Sequence, residues 1–134
     1  MFKLIKILNS GSNVPEPRRV KVGSSPIYTG TALIYNEDNT VGYGSGNTSP
    51  KCIALCDASA GSEAVVFDIT PDMLFEAPVL MAPDVLCVGS KLILGTEKGN
   101  ALGILNAMAN DGPAIVYDTT GATKVGDKIT VRLA

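Results

Sequence analysis

Two segments of this chain repeat one pattern, and the pattern suits a β-sheet. The first is Val125-Gly126-Asp127-Lys128-Ile129-Thr130-Val131-Arg132-Leu133-Ala134. After a Gly-Asp turn, Ile129, Val131 and Leu133 fall on one face and Lys128, Thr130 and Arg132 on the other. This is the period-two alternation of a half-buried strand. The second is Val88-Gly89-Ser90-Lys91-Leu92-Ile93-Leu94, again a Val, a Gly turn, a polar cap, a Lys and then a β-rich run. The two segments are expected to pair as the frame of an all-β body. Neither contains a residue suited to catalysis.

The rest of the chain continues in short strands. Residues 27–35 are β-rich and end at the polar turn 36–40, and a Gly/Ser/Asn-rich loop follows over residues 41–50. Residues 51–57 and 63–70 read as a hairpin, with Ile53, Leu55, Val65 and Phe67 facing the core. Thr70-Pro71-Asp72 suggests one helical turn, with Thr at the N-cap and Pro at N1. Pro78 marks residues 74–80 as an edge strand, since proline cannot donate to a ladder. Residues 101–109 are read as a strand despite a partial helical period, because Gly103 weakens a helix. Residues 114–117 are a further short strand. The expected architecture is all-β, a small barrel or sandwich of about eight short strands. Its core should include Ile53, Leu55, Val65, Phe67, Leu92, Leu94, Ile129, Val131 and Leu133. With 134 residues, 46% apolar, the chain can bury a core without disulfides or metal.

Charge divides the chain. Residues 1–21 hold Lys3, Lys6, Arg18, Arg19 and Lys21 against Glu16 alone, whereas the remainder holds six basic and twelve acidic residues. Residues 1–21 read as a basic N-terminal arm and linker, and residues 22–134 as a single β domain. Phe2-Lys3-Leu4-Ile5-Lys6-Ile7-Leu8 can form a strand, residues 9–13 a polar hinge, and Val14-Pro15-Glu16-Pro17-Arg18-Arg19 an extended spacer. One reading makes this the first strand of the domain. The other makes it a detachable arm that adds a strand to another chain. On the second reading the partner-binding residues are Phe2, Lys3, Leu4, Ile5, Lys6, Ile7, Arg18, Arg19 and Lys21. An acidic protein surface suits such an arm better than nucleic acid, because the acidic body repels phosphate.

The residues that could carry chemistry are few. The chain has no His and no Trp, which removes the commonest general base and metal ligand. Cys56-Asp57 are strand neighbours and would point to opposite faces. Asp68 and Asp72 could approach across the Thr70-Pro71 bend, but solvated turn acids are the default. Asn36, Asp38 and Thr40 alternate like calcium ligands, yet the loop Gly and distal Glu are missing. Cys52, Cys56 and Cys87 read as free thiols in a reducing compartment. The expectation is therefore no catalytic residue, no cofactor and no metal. With no apolar run of 18 residues and no leader-like core, no membrane partner is expected and synthesis is placed in the cytoplasm.

The chain resembles the small β-rich capsid cement, or decoration, proteins of tailed bacteriophages. The likeness rests on an arm ahead of a compact body, on Lys51–Asp57 as KCIALCD, on Thr70–Glu76 as TPDMLFE and on the closing VGDKITVRL. It spans roughly residues 14–134. The resemblance implies a non-enzymatic protein on the capsid exterior, with the major capsid protein as partner. It also implies self-association, a trimer being one state to test. A glycan- or receptor-binding module of a phage fibre is the alternative. The small number of aromatics argues against that alternative, since sugar platforms favour stacked rings.

Overall fold

The two repeated segments form the same turn and open two strands of one sheet, although they do not pair with each other. In the computed structural model the described residues are 1–8, 15–44, 48–79, 86–97, 100–105 and 112–133. Ser90 N–H donates to Cys87 C=O and Asp127 N–H to Lys124 C=O, closing two four-residue turns. Gly89 and Gly126 occupy the third position of each, at φ 91° and 90°. That left-handed φ is why the position is glycine. The turns lead into β8 (Lys91–Glu97) and β11 (Lys128–Leu133). Each pairs antiparallel with β10 (Ala114–Asp118), which lies between them.

The other strands are β1 (Lys3–Ile7), β2 (Arg18–Lys21), β3 (Ala32–Tyr35), β4 (Val41–Tyr43), β5 (Cys52–Ala54), β6 (Glu63–Asp68), β7 (Met73–Pro78) and β9 (Asn100–Leu105). The ladder runs β1-β7-β11-β10-β8-β9-β3-β5-β6-β2, with β4 beside β3. Every strand pairing is antiparallel. The protein is all-β, and the ladder folds over as a small sandwich that does not close into a barrel. The first sheet holds β1, β7, β11, β10 and β8, the second β2, β6, β5, β3 and β4, and β9 links them.

The two layers meet in a core of Phe2, Ile53, Phe67, Phe75, Leu92, Leu94, Val116, Ile129, Val131 and Leu133, among others. The Phe67 and Phe75 rings stack across it with centroids 6.2 Å apart and planes 8° from parallel. The second sheet also has a core on its other face. Alternate residues Val20, Leu33, Cys52, Ala54, Ala64 and Val66 turn there and are covered by Val22, Ile27 and Val41. The sheet curls far enough for Val22, just past β2, to form a parallel bridge with Val41 of β4.

Several expectations are corrected by this arrangement. Leu55 is 45% exposed, because β5 ends at Ala54 and the chain bends there. Val65 is half-buried and Val66 takes the second core, so β6 buries both faces. β7 is an interior strand, flanked by β1 and β11. Pro78 is tolerated because Val79 N–H faces β11, so Pro78 faces the side where β1 has already ended. Thr70–Met73 is a β-turn closed by Met73 N–H on Thr70 C=O, not a helical turn. Residues 41–43, read as loop, form β4. The strand expected over residues 101–109 is present to Leu105, and its last four residues lie outside the described residues. Residues 3–7 and 18–21 take places in the two sheets as β1 and β2 rather than standing off as an arm. Burial of Phe2, 2% exposed, supplies the physical reason.

Candidate interaction edge and groove

Among the described residues the ladder ends in β1 and β2, each with one ladder neighbour, β2 also meeting β4 at its end through the Val22–Val41 bridge, and these strands hold most of the expected partner-binding residues. β1 pairs with β7 through Lys3↔Glu76, Leu4↔Phe75, Lys6↔Leu74 and Ile7↔Met73, with an irregularity at Ile5. That break turns Ile5 outward, where it is 45% exposed. Lys3 and Lys6 are exposed, whereas Leu4 and Ile7 are half-buried against the core. Phe2 N–H donates to Gly30 C=O at 2.9 Å, which pins the start of β1 to the opposite sheet. Gly30 has φ 80°, and a Cβ there would fall 2.3 Å from Met1 Cγ. Only glycine allows this seat.

β2 pairs with β6 through Arg18↔Val66, Arg19↔Val65, Val20↔Ala64 and Lys21↔Glu63. Arg18 is held by Asp68: Nη2 and Nε donate to its carboxylate at 2.8 and 3.1 Å. The Arg18 guanidinium also lies 5.4 Å from the Tyr35 ring centroid. Arg19 Nη1 is 3.8 Å from Glu63, and both side chains are well exposed. Exposed pairs of that kind contribute little. Among the described residues Lys3, Lys6 and Lys21 have no ion pair. So the cations are brought to two edges of one molecule, not to one flexible arm.

Between these edges lies an apolar groove of about 430 Å³. Phe2 and Leu4 of β1, Pro15 and Pro17 ahead of β2, and Ile53, Leu55 and Phe67 of the second sheet line it. It is the open side of the sandwich. The sequence reading missed Pro15, Pro17 and Leu55 as surface apolar residues. Pro-x-Pro immediately before a strand was the available signal, since such a segment cannot pair and leaves the adjoining space uncovered.

Most candidates for chemistry are engaged in hydrogen bonds or an ion pair. Asp57 accepts from Thr29 N–H at 2.8 Å and from Thr29 Oγ1 at 3.0 Å. Those bonds, the backbone one first, hold its carboxyl below the usual range. Cys56 Sγ accepts from Val65 N–H at 3.5 Å. Asp68 is occupied by Arg18, and Asp72 accepts from Thr70 Oγ1. Asp38 accepts from Thr40 Oγ1 at 2.6 Å and from Thr40 N–H at 3.1 Å, closing the 36–40 turn. Cys52 is buried, and desolvation pushes its thiol up to about 12. All three cysteines are free. Among the described residues no group of three or more His, Cys, Asp or Glu could hold a metal, and no helix is long and apolar enough to cross a membrane. No protein-family model matches the chain, and no curated protein matches it.

Proposed function

We propose that this chain is a structural virion protein that binds the outer surface of a tailed-phage capsid and cements it, with the major capsid protein as its partner. The observation that carries this reading is the pairing of two cationic strand edges with an apolar groove on an otherwise acidic protein. Apolar burial supplies affinity, and the edge cations supply orientation toward an acidic partner. The likeness of KCIALCD, TPDMLFE and VGDKITVRL to the decoration proteins supports the same assignment. Self-association on the shell, as a trimer or otherwise, belongs to this proposal, as does a location on the capsid exterior. No catalytic role, nucleic-acid partner or cofactor is included.

The test is cosedimentation of the purified protein with empty shells of the capsid protein encoded beside its gene. Saturable binding, at a fixed number of copies per shell, is expected. Binding should fall partly with added salt, since screening removes the charge contribution and spares the apolar one. Absence of binding, together with a positive signal on a glycan array, would replace the proposal with a receptor-binding role.

A further inference from the structure

The outer face of the first sheet carries a row of cations that the chain itself leaves without anions. Phe75, Val131, Val116 and Leu92 turn into the main core, so their neighbours along each strand turn out. Lys6 stands opposite Leu74, and Arg132 stands opposite Ile115, which in turn stands opposite Lys91. Val131 pairs with Phe75, so Arg132 and Leu74 are the next positions along the same two strands. Across β1, β7, β11, β10 and β8 the order is thus Lys6, Leu74, Arg132, Ile115 and Lys91. Every second strand presents a cation, and Lys6 and Lys91 are exposed.

Arg132 is the centre of this row and lacks an acceptor. Among the described residues it makes no ion pair, and its Nε is shielded from solvent with no hydrogen-bond partner. Its guanidinium lies 5.4 Å from the Tyr117 ring centroid. Among the described residues Lys6 and Lys91 have no ion pair either. The acids of the adjoining row, Glu76 and Asp118, both stand opposite Thr130 and are already engaged. Glu76 is 3.6 Å from Lys128, and Asp118 accepts from Thr120 N–H at 2.9 Å. A half-buried guanidinium with no acceptor is uncommon. A carboxylate from outside the chain would give its fork the acceptor it lacks.

The spacing selects the form of the partner. Neighbouring strands lie about 4.8 Å apart, so successive cations of the row are about 10 Å apart. An extended segment laid along the row repeats one face at about 6.8 or 13.6 Å and misses that interval. In an α-helix the seventh residue returns to the same face after about 10.5 Å. We propose that this face binds an acidic α-helix of another protein, laid across the strands, with acids seven residues apart over Lys6, Arg132 and Lys91. An apolar residue one turn from the central acid then falls over half-buried Ile115 and exposed Tyr117. A second copy of this chain is not the occupant, because its described residues include no helix. Nucleic acid fits less well, since its phosphates would continue past the row onto a chain of net charge −2.

The capsid reading enters only as the source of such a helix, and the test stands apart from it. The probe is the blocked peptide Glu-Gln-Ala-Leu-Gln-Gln-Ala-Glu-Gln-Ala-Leu-Gln-Gln-Ala-Glu, with a Leu in each interval so that either direction meets Ile115. Its isomer Glu-Gln-Ala-Leu-Gln-Glu-Ala-Gln-Gln-Ala-Leu-Gln-Gln-Glu-Ala spreads the same acids round the helix. Titrated into the isotope-labelled full chain and followed by NMR, the probe should shift the Lys6, Lys91 and Ile115 amides and the Arg132 Nε–H. The isomer should bind roughly 2- to 30-fold more weakly, the range that losing two exposed ion pairs gives. The double variant Lys6→Glu/Lys91→Glu alters exposed residues only. It should lose the probe and gain an analogue with Lys in place of both terminal Glu residues. Should it not fold, Lys6→Ala and Lys91→Ala decide: each should weaken the probe by about 1.5- to 5-fold and leave the isomer less affected. Equal binding of probe and isomer, shifts confined to the second sheet, no exchange of preference, or a single-stranded DNA oligonucleotide bound as tightly as the probe would reduce the row to general attraction for anions, and the proposal falls. Exchange of preference in a chain that binds no shell keeps the face and removes the capsid as its source. Shell binding without that exchange does the reverse.

Discussion

Replacing Phe2 by Ala separates a domain strand from a detachable arm. Phe2 is 2% exposed and packs among residues of both sheets, with its amide on Gly30. Truncating a buried aromatic ring costs about 3–5 kcal/mol. Here the low end applies, since the site borders a groove that already reaches solvent and β1 has one strand neighbour among the described residues. About 3 kcal/mol is a large share of the 5–15 kcal/mol that typically stabilises a domain. It should lower the melting midpoint by roughly 10 °C for a chain of this size. In urea it corresponds to a midpoint shift of roughly 1–3 M. Far-UV circular dichroism is the suitable probe, because the chain has no Trp. Deleting residues 1–8 should destabilise further. A loss below about 1 kcal/mol for Phe2→Ala, with shell binding abolished, would refute the argument and return these residues to the role of an arm.

Three other outcomes are expected. Gly112→Ala should be among the most damaging single changes, about 3 kcal/mol or more by overpacking, because its Cβ would lie 1.9 Å from Leu92 C=O; thermal melts check it. An aromatic disulfide reagent at pH 8 should label exposed Cys87 at once, whereas Cys52, buried with its thiol pushed up to about 12, should react only on unfolding. Asp57 and Asp127 have carboxyls held low, each chiefly by a backbone N–H, from Thr29 and Thr123 respectively. A lowered folded pKa contributes stability that is full above the unfolded value and is lost as pH falls through the folded one. Urea midpoints should thus be level near neutrality and drop below about pH 4, and Asp57→Asn should make that drop shallower.

The sheet frame was legible because its signals are local. A Val-Gly turn with alternation behind it depends on neighbours in sequence, and residues 88–94 and 125–133 folded as their pattern required. The hairpin of β5 and β6 was legible for the same reason. What failed depended on the other layer. Leu55 continues the alternation of Ile53, and only the bend after Ala54 turns it out. Val66 reads as a solvent-face residue until the curled second sheet gives that face its own core. Pro78 reads as an edge marker until the register shows that it lies beyond the last β1 pair, Lys3↔Glu76, so that its missing N–H breaks no bond of that ladder. For the candidate site, the cations of residues 1–21 were visible as composition. Their division over two edges was not, because no local pattern tells β1 to cross to β7.

The two cores also set an order of assembly. Among the described residues the second core draws only on positions from Val20 to Val66. β1, by contrast, has its strand partner among the described residues at Met73–Pro78 and its amide contact at Gly30. At ribosomal rates of about 5–20 residues per second, the stretch from Ile7 to Met73 takes on the order of 3–13 seconds to emerge. During that interval the curled sheet can complete its local contacts, while Phe2, Leu4 and Ile7 wait without their ladder. A nascent chain halted before β7 should therefore protect amides around Val20, Ala64 and Val66 from exchange and leave those of β1 open. The strand that ends as a fixed edge of the sandwich thus spends its first seconds as a free apolar and basic segment, within reach of whatever chaperone or partner is nearby.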